Sequence, residues 1–276
     1  MKKYIILLLY IIFLMYLLPL GITTYQQTKG ADTFLFIKNN LIENNTVEPE
    51  EIGWNLVFMD DFNSSSVDPV KWEVLNREEN YNNELQAYRS GNVKVQDGRL
   101  FLTGLKEGSK YSSGLVQTKG KFDLLYGKIE IKGKYPVGKG LFPAMWLLRS
   151  DGEDHLPEID IFEVVGHEPE KAYMVHHWRD NGNLKTAHGT ARIKDIDRDH
   201  LYGLEWTPEE IRWYVDNKLV FELKNHHAHV PMYLIINLAI GGNWPGNPDK
   251  KTVFPAEFSI DYVKIYQKGT GHDGSI

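Results

Sequence analysis

Two antiparallel sheets packed as a β-sandwich are what this sequence predicts, on three observations. Short apolar–polar alternations recur from Trp54 onward, two-residue turn signals join several of them, and no amphipathic helix of convincing length follows the first 22 residues. With 276 residues, 42% hydrophobic and 25% charged, the chain can bury a substantial core, and one domain behind a leader is the economical count.

In chain order, Lys2 and Lys3 precede a charge-free run from Tyr4 to Thr28 that is strongly apolar through Ile22. That is the arrangement of an export segment, either a cleaved signal or a retained anchor. As a helix, Tyr4 to Ile22 would be about 28 Å long, enough to cross most of a bilayer core of roughly 30 Å. Residues 23–52 mix polar runs with one apolar patch, Phe34-Leu35-Phe36-Ile37, and read as a spacer. The predicted organisation is a leader over 1–22, a spacer over 23–52, the sandwich domain over 53–268 and a tail over 269–276. An extracytoplasmic protein, secreted or tethered by its N-terminal segment, follows.

Within the domain, Val93-x-Val95 and Leu100-x-Leu102 flank Asp97-Gly98, and Trp213-Tyr214-Val215 and Leu219-Val220-Phe221 flank Asp216-Asn217. Both turns use residues that tolerate positive φ, so both predict hairpins. Ile129/Ile131, Leu204/Trp206, Leu234/Ile236/Leu238 and Ile260/Tyr262 repeat the alternation. The 7 Trp, 15 Tyr and 12 Phe suit a β-rich core and sugar-stacking platforms along a concave sheet face. A net charge of −6 argues against nucleic acid, which needs a basic face. The absence of Cys removes disulfides, zinc-thiolate sites and a Cys nucleophile.

One stretch conflicts with its own propensity. In Pro157-Glu158-Ile159-Asp160-Ile161-Phe162-Glu163-Val164-Val165 the apolar residues say strand, while Asp and Glu are disfavoured inside one. Period two puts Glu158 and Asp160 on one face and Ile159 and Ile161 on the other. Glu163 breaks that period, and a one-residue bulge near Ile161-Phe162 would return it to the acid face. The outer acids would lie about 13 Å apart at the backbone, less several ångströms for side chains leaning inward. That approaches the carboxyl separation of about 5–5.5 Å of a retaining glycosidase, with Asp160 coupling the two by charge and hydrogen bonding.

Other stretches supply cleft candidates. Gly138 to Trp146 is a Gly-rich loop entering an aromatic strand, and Asn237 to Gly246 ends a strand in a loop carrying an amide and an indole. Gly241-Gly242 lacks the lysine and helix of a phosphate loop. Asn83 and Glu84, within Asn82-Asn83-Glu84-Leu85-Gln86, could line the same cleft, and His177, within His176-His177-Trp178, could lie beside the acids. A zinc site built on the histidines is disfavoured, because adjacent strand residues point to opposite faces.

Glu158-Ile-Asp-Ile-Phe-Glu163, Gly140-Leu-Phe-Pro-Ala-Met-Trp146, Asn237-Leu-Ala-Ile-Gly-Gly-Asn-Trp-Pro-Gly246 and Phe258-Ser-Ile-Asp-Tyr-Val-Lys-Ile-Tyr266 resemble, in order and spacing, the laminarinase-like branch of glycoside hydrolase family sixteen. The resemblance runs from about Trp54 to Gln267. It implies a concanavalin-like jelly roll with a substrate cleft across its concave sheet, hydrolysing internal β-1,3-glucosidic bonds with retention. By motif position Glu158 is then the nucleophile, Asp160 its helper and Glu163 the acid/base, with Trp146, His177, Asn237 and Trp244 in the cleft. It implies no cofactor for catalysis, a monomer acting on a polysaccharide, and a structural Ca²⁺ at Asp61, Gly98 and Asp261.

The chain departs from the family pattern at Phe142, where a Trp is usual, at Asp61, and around Gly114-Leu115-Val116, where an Arg is common. Relatives with the same acid motif cleave mixed-linkage glucan, agarose, porphyran or carrageenan, but sulfated galactans favour basic clefts and the stretches above hold few Arg or Lys. The rival from another class is a non-catalytic glucan-binding module, for which a pair of glutamates has no use.

Overall fold

Seventeen strands and a single 3₁₀ turn, Ser90–Asn92, account for the regular structure of the described residues, which in this computed structural model are 53–78, 81–152 and 155–269. The leader, the spacer and all but the first residue of the tail lie outside them. The strands are β1 (Trp54–Asp60), β2 (Glu73–Val74), β3 (Gln86–Tyr88), β4 (Val93–Gln96), β5 (Arg99–Glu107), β6 (Lys110–Ser113), β7 (Leu115–Gln117), β8 (Gly127–Lys134) and β9 (Leu141–Arg149). There follow β10 (Glu158–Val164), β11 (Lys171–Asp180), β12 (Asn183–Arg192), β13 (His200–Trp206), β14 (Glu210–Val215), β15 (Lys218–Lys224), β16 (Met232–Ile240) and β17 (Ala256–Lys268). No helix among the described residues is long and apolar enough to cross a membrane.

Two sheets form, as the alternation predicts. One runs β15-β14-β13-β8-β17-β5-β6-β3, with β1 also on β17 and β4 also on β5; the other runs β12-β11-β10-β9-β16-β7-β2. Both predicted hairpins are present. Asp97 (φ 51°) and Gly98 (φ 70°) turn β4 into β5, and Asp216 (φ 48°) and Asn217 (φ 61°) turn β14 into β15. These positive φ values match the right-handed twist of the strands they join.

The core lies between the sheets. Ile129, Ile131, Leu204, Trp206 and Trp213 come from one sheet, and Met145, Leu147, Ile159, Ile161, Phe162, Leu234, Ile236 and Leu238 from the other. Each buried side chain of this size contributes about 1.5–3 kcal/mol by leaving water. The Phe162 ring sits 4.2 Å from that of Tyr202, centre to centre, so the acid-bearing strand is fixed from behind.

One predicted alternation does not continue. Ile260 is buried, but the register slips between Ile260 and Tyr262, and the inward positions become Val263 and Ile265. Tyr262 is half-buried because the extra residue, Asp261, turns it out of the core.

A second slip does functional work. Against β11 the pairing moves from Asp160↔Val175 to Glu163↔Tyr173, and against β9 from Asp160↔Trp146 to Phe162↔Met145, so β10 carries one extra residue at Ile161. Where the ladder is interrupted, the fully buried Trp213 of the opposite sheet donates its indole N–H to the Asp160 carbonyl oxygen at 2.9 Å. Trp213→Phe removes that donor together with part of the indole's volume. Orphaning the buried acceptor should cost about 1–3 kcal/mol of stability, the cavity should add to it, and kcat should fall through the loosened bulge. Wild-type melting and turnover in this variant would show that the bulge does not depend on Trp213.

Candidate active site

The bulge brings Glu158, Asp160 and Glu163 onto the outer face of the seven-stranded sheet. Ile159, Ile161, Phe162 and Val164 stay in the core. Asp160 is 2% exposed, whereas Glu158 and Glu163 are half-buried and reach the opening. Strand pairing selects the neighbours on that face: His177 lies opposite Glu158, Trp146 opposite Asp160, and Tyr173 and Ala144 opposite Glu163.

His177, 8% exposed, puts Nε2 3.7 Å from Asp160 Oδ2, too far for a hydrogen bond. Its Nδ1 is 2.7 Å from Thr186 Oγ1. Glu158, Asp160 and His177 each offer an atom within 4.8 Å of the others, and Asp160 Oδ2 is buried with no hydrogen-bond partner. His176 points the other way, as strand geometry requires, with Nδ1 2.9 Å from the Glu158 carbonyl oxygen, to which it donates.

The electrostatics follow from burial. Loss of water raises Glu158 above the ordinary carboxylate range; burial and then the charge of Glu158 raise Glu163; burial and then both glutamates raise Asp160 further. Three carboxyl groups this close and this dry cannot all be ionised, so protons are held within the triad. Burial, then the neighbouring histidines, push His177 down to about 4, leaving it neutral near pH 7.

These shifts give opposite stability slopes. Acids raised in the fold bind more protons there than in the unfolded chain, so their contribution falls as pH rises above about 4. His176 and His177, both lowered to about 4, lose stability as pH falls from about 6.5 through 4. The difference between wild type and Asp160→Asn isolates the acids. The variant should melt higher than wild type, by more at pH 7 than at pH 4, measured by calorimetry at both values. Equal differences at the two pH values would remove the buried-proton account.

The other predicted cleft residues are placed as follows. Trp146 donates its indole N–H to Asn237 Oδ1 at 2.8 Å, and Asn237 Nδ2 donates to the buried Tyr88 hydroxyl at 3.1 Å. Trp244 is braced edge-on by Phe142 at 5.3 Å and by Tyr173 at 4.8 Å, which fixes it at the Glu163 end of the acids. Asn82 (φ 56°) and Asn83 (φ 58°) turn the chain so that Asn83 Nδ2 meets Asn243 Oδ1 at 2.7 Å. Glu84 bridges to Gly241, accepts from Gln86 Nε2 at 2.7 Å, and is raised chiefly by burial. Gly140, at φ 79°, is required where it stands, because a Cβ there would overlap the Pro248 backbone.

The expected Ca²⁺ set does not assemble in this way. Asp61 Oδ2 accepts from Asn63 Nδ2 at 2.7 Å, and a Cβ placed on Gly98 would lie 3.1 Å from Asn63 Oδ1. The Asp261 carboxylate faces Lys132 Nζ at 2.7 Å and Arg99 Nη1 at 3.9 Å. Two cations already neutralise the Asp261 carboxylate and Asn63 engages that of Asp61, so these side chains as they stand do not fit a Ca²⁺ centre.

Sequence reasoning missed Tyr88, Tyr173, Thr186 and Trp213. Trp213 could not be found from the chain alone, since it acts from the opposite sheet. Tyr88 had a faint signal, two residues beyond Gln86 on the same strand face.

Residues 78–264 match the profile of Glycosyl hydrolases family 16. The chain is 34% identical over 244 residues to a β-glucanase of Rhodothermus marinus, covering 78% of this chain and 85% of that protein. It is 31% identical over 272 residues to glucan endo-1,3-beta-glucosidase A1 of Niallia circulans, covering 80% of this chain but 39% of that longer protein. The X-ray structure of the laminarinase from Rhodothermus marinus superposes with a TM-score of 0.71 at 34% identity, over 78% of this chain and 98% of that one.

Proposed function

The chain belongs to glycosyl hydrolases family 16, and from that premise we infer that it cleaves internal β-1,3-glucosidic bonds of laminarin-like glucans by double displacement, with retention. A glycoside hydrolase replaces the alternative of a non-catalytic binding module. The observation that carries the reading is the bulge at Ile161, which sets Glu158 and Glu163 on one face, either side of a buried, proton-holding Asp160.

In this mechanism Glu158 attacks the anomeric carbon while Glu163 protonates the leaving oxygen, then Glu163 takes a proton from water as the glycosyl-enzyme is hydrolysed. Asp160 holds or releases the proton that lets one glutamate be ionised while the other is not. Its unpartnered Oδ2 is free to accept from either neighbour as charge moves. Trp146, anchored through Asn237 to Tyr88, and Trp244, braced by Tyr173 and Phe142, present rigid ring surfaces for successive sugars. No cofactor enters these steps. The run Tyr4–Ile22 behind Lys2 and Lys3 supports action outside the cytoplasm, where polymeric glucan is met.

Laminarin digestion followed in time tests the reading. A ladder of oligosaccharides should precede glucose, and the first anomer released, read by NMR, should be β. Early products that are only glucose, or an α anomer first, would sink the endo-acting, retaining mechanism.

A further inference from the structure

On the Trp146 side of the acids stands a group of side chains that the bond-breaking steps do not use. Tyr88, Leu115, Tyr233 and Ile235 form a small buried cluster, with Leu75, Trp146 and Leu148 packed against it. It belongs to the acid-bearing face, since Leu148 pairs with both Glu158 and Tyr233, Ile235 pairs with Trp146, and Leu115 pairs with Asn237. At its edge the half-buried Arg77 exchanges backbone hydrogen bonds with Tyr88, at 3.1 and 2.9 Å. The Arg77 guanidinium lies 5.1 Å from the centre of the exposed Tyr81 ring and 5.3 Å from that of Tyr88.

Arg77 is held in place by rings and not by anions. Among the described residues no carboxylate forms an ion pair with it, and its buried Nε has no hydrogen-bond partner. A guanidinium carries five N–H donors in a planar fork, and a buried donor without an acceptor is destabilising. Nε itself is closed off from solvent, so an acceptor from outside the protein would be met by the Nη end of the half-buried fork, which no hydrogen-bond acceptor among the described residues engages.

The surroundings choose the class of acceptor. The charge of Arg77 is felt by Glu84 and by Tyr233, and Tyr233 feels Glu158 and Glu73 as well. One guanidinium among three carboxylates offers little net attraction to a sulfate or uronate, whereas hydroxyl and ring oxygens accept without bringing charge. We propose that Arg77, held flat by Tyr81 and Tyr88, forms a sugar-binding subsite beyond the acids on the Trp146 side, donating to the oxygens of a neutral glucan chain. This deepens the β-glucanase reading and rests on it.

The test compares wild type with Arg77→Met and Arg77→Lys on laminarioligosaccharides of increasing length, with melting temperature recorded for each. Both variants should melt as wild type does. KM should rise about tenfold for oligosaccharides long enough to reach the subsite and stay unchanged for the shortest one cleaved, with kcat nearly constant. Lys should not rescue, because a point charge lacks the fork. If wild type cleaves laminarin and both variants keep its KM at every length, the subsite is overturned while the glucanase reading stands. A KM raised equally at all lengths, with a lowered melting temperature, would assign Arg77 to structure and overturn it too. Should wild type cleave some other neutral polysaccharide and not laminarin, the glucanase reading fails, and the same length series from that polysaccharide decides the subsite.

Discussion

Replacing Glu158 by Ala is expected to lower turnover of laminarin on the order of 10⁴-fold or more, because no glycosyl-enzyme can form. Azide added to this variant can enter the vacated space and attack once, so an activated β-glucoside should yield the α-glycosyl azide. Glu163→Ala fails differently. It loses the proton donor, a contribution of roughly 10²–10⁴-fold, yet a substrate with a good leaving group still forms the intermediate on Glu158. Azide then releases it as the β-azide. The anomers, read by NMR, assign the two roles, which spacing alone leaves interchangeable. Swapped anomers would reverse the assignment, and near-wild-type hydrolysis by either variant would end the mechanism as drawn. Asp160→Asn should lower kcat and leave the stereochemistry intact, since Asp160 forms no bond to the sugar.

Deleting Ile161 is expected to destabilise the fold while leaving Glu163 on the acid face. Without the extra residue β10 would pair with β9 in unbroken register, and period two would keep Phe162 inward and Glu163 opposite Ala144, beside Glu158 and Asp160. The loss is the buried Ile161 side chain, about 2–5 kcal/mol out of a total stability of about 5–15 kcal/mol for a domain. The melting temperature should fall by about 10 °C, read by calorimetry, at about 2–4 °C per kcal/mol. Ile161→Val retains the residue count and serves as the control. It should lose about 0.5–1.5 kcal/mol and stay active. A deletion variant that melts as wild type does would show that the Ile161 side chain adds nothing to the core.

Two indoles, the buried Trp213 and the half-buried Trp146, explain why this strand tolerates three acids. Trp213 holds the Asp160 carbonyl from the core side, and Trp146 lies opposite Asp160 on the outer side, tied to Asn237. An acid-rich segment with poor strand propensity is thus fixed from both faces, and the unfavourable desolvation of its carboxyl groups is what keeps their protons available near neutral pH.

By itself the sequence determined the class of fold and the chemistry. Period-two alternation and the Asp97-Gly98 and Asp216-Asn217 turns are local, and local sterics and side-chain alternation act over a few residues whatever the rest of the chain does. The misplaced Glu163 announced the bulge for the same reason, since a broken period inside one strand is visible within that strand. Only the tertiary structure decided which distant groups serve the acids. Trp213 is 53 residues from Asp160, and Tyr88 is 149 from Asn237. Nothing in either segment specifies its partner; sheet order and register do. The same holds for Asp261, which the family resemblance implies as a cation ligand and which becomes an ion-pair partner once β8 brings Lys132 beside it. Period and turn chemistry are properties of neighbours in sequence, whereas charge, burial and hydrogen-bond partners are properties of neighbours in space, and these exist only after the sheets have closed on their core.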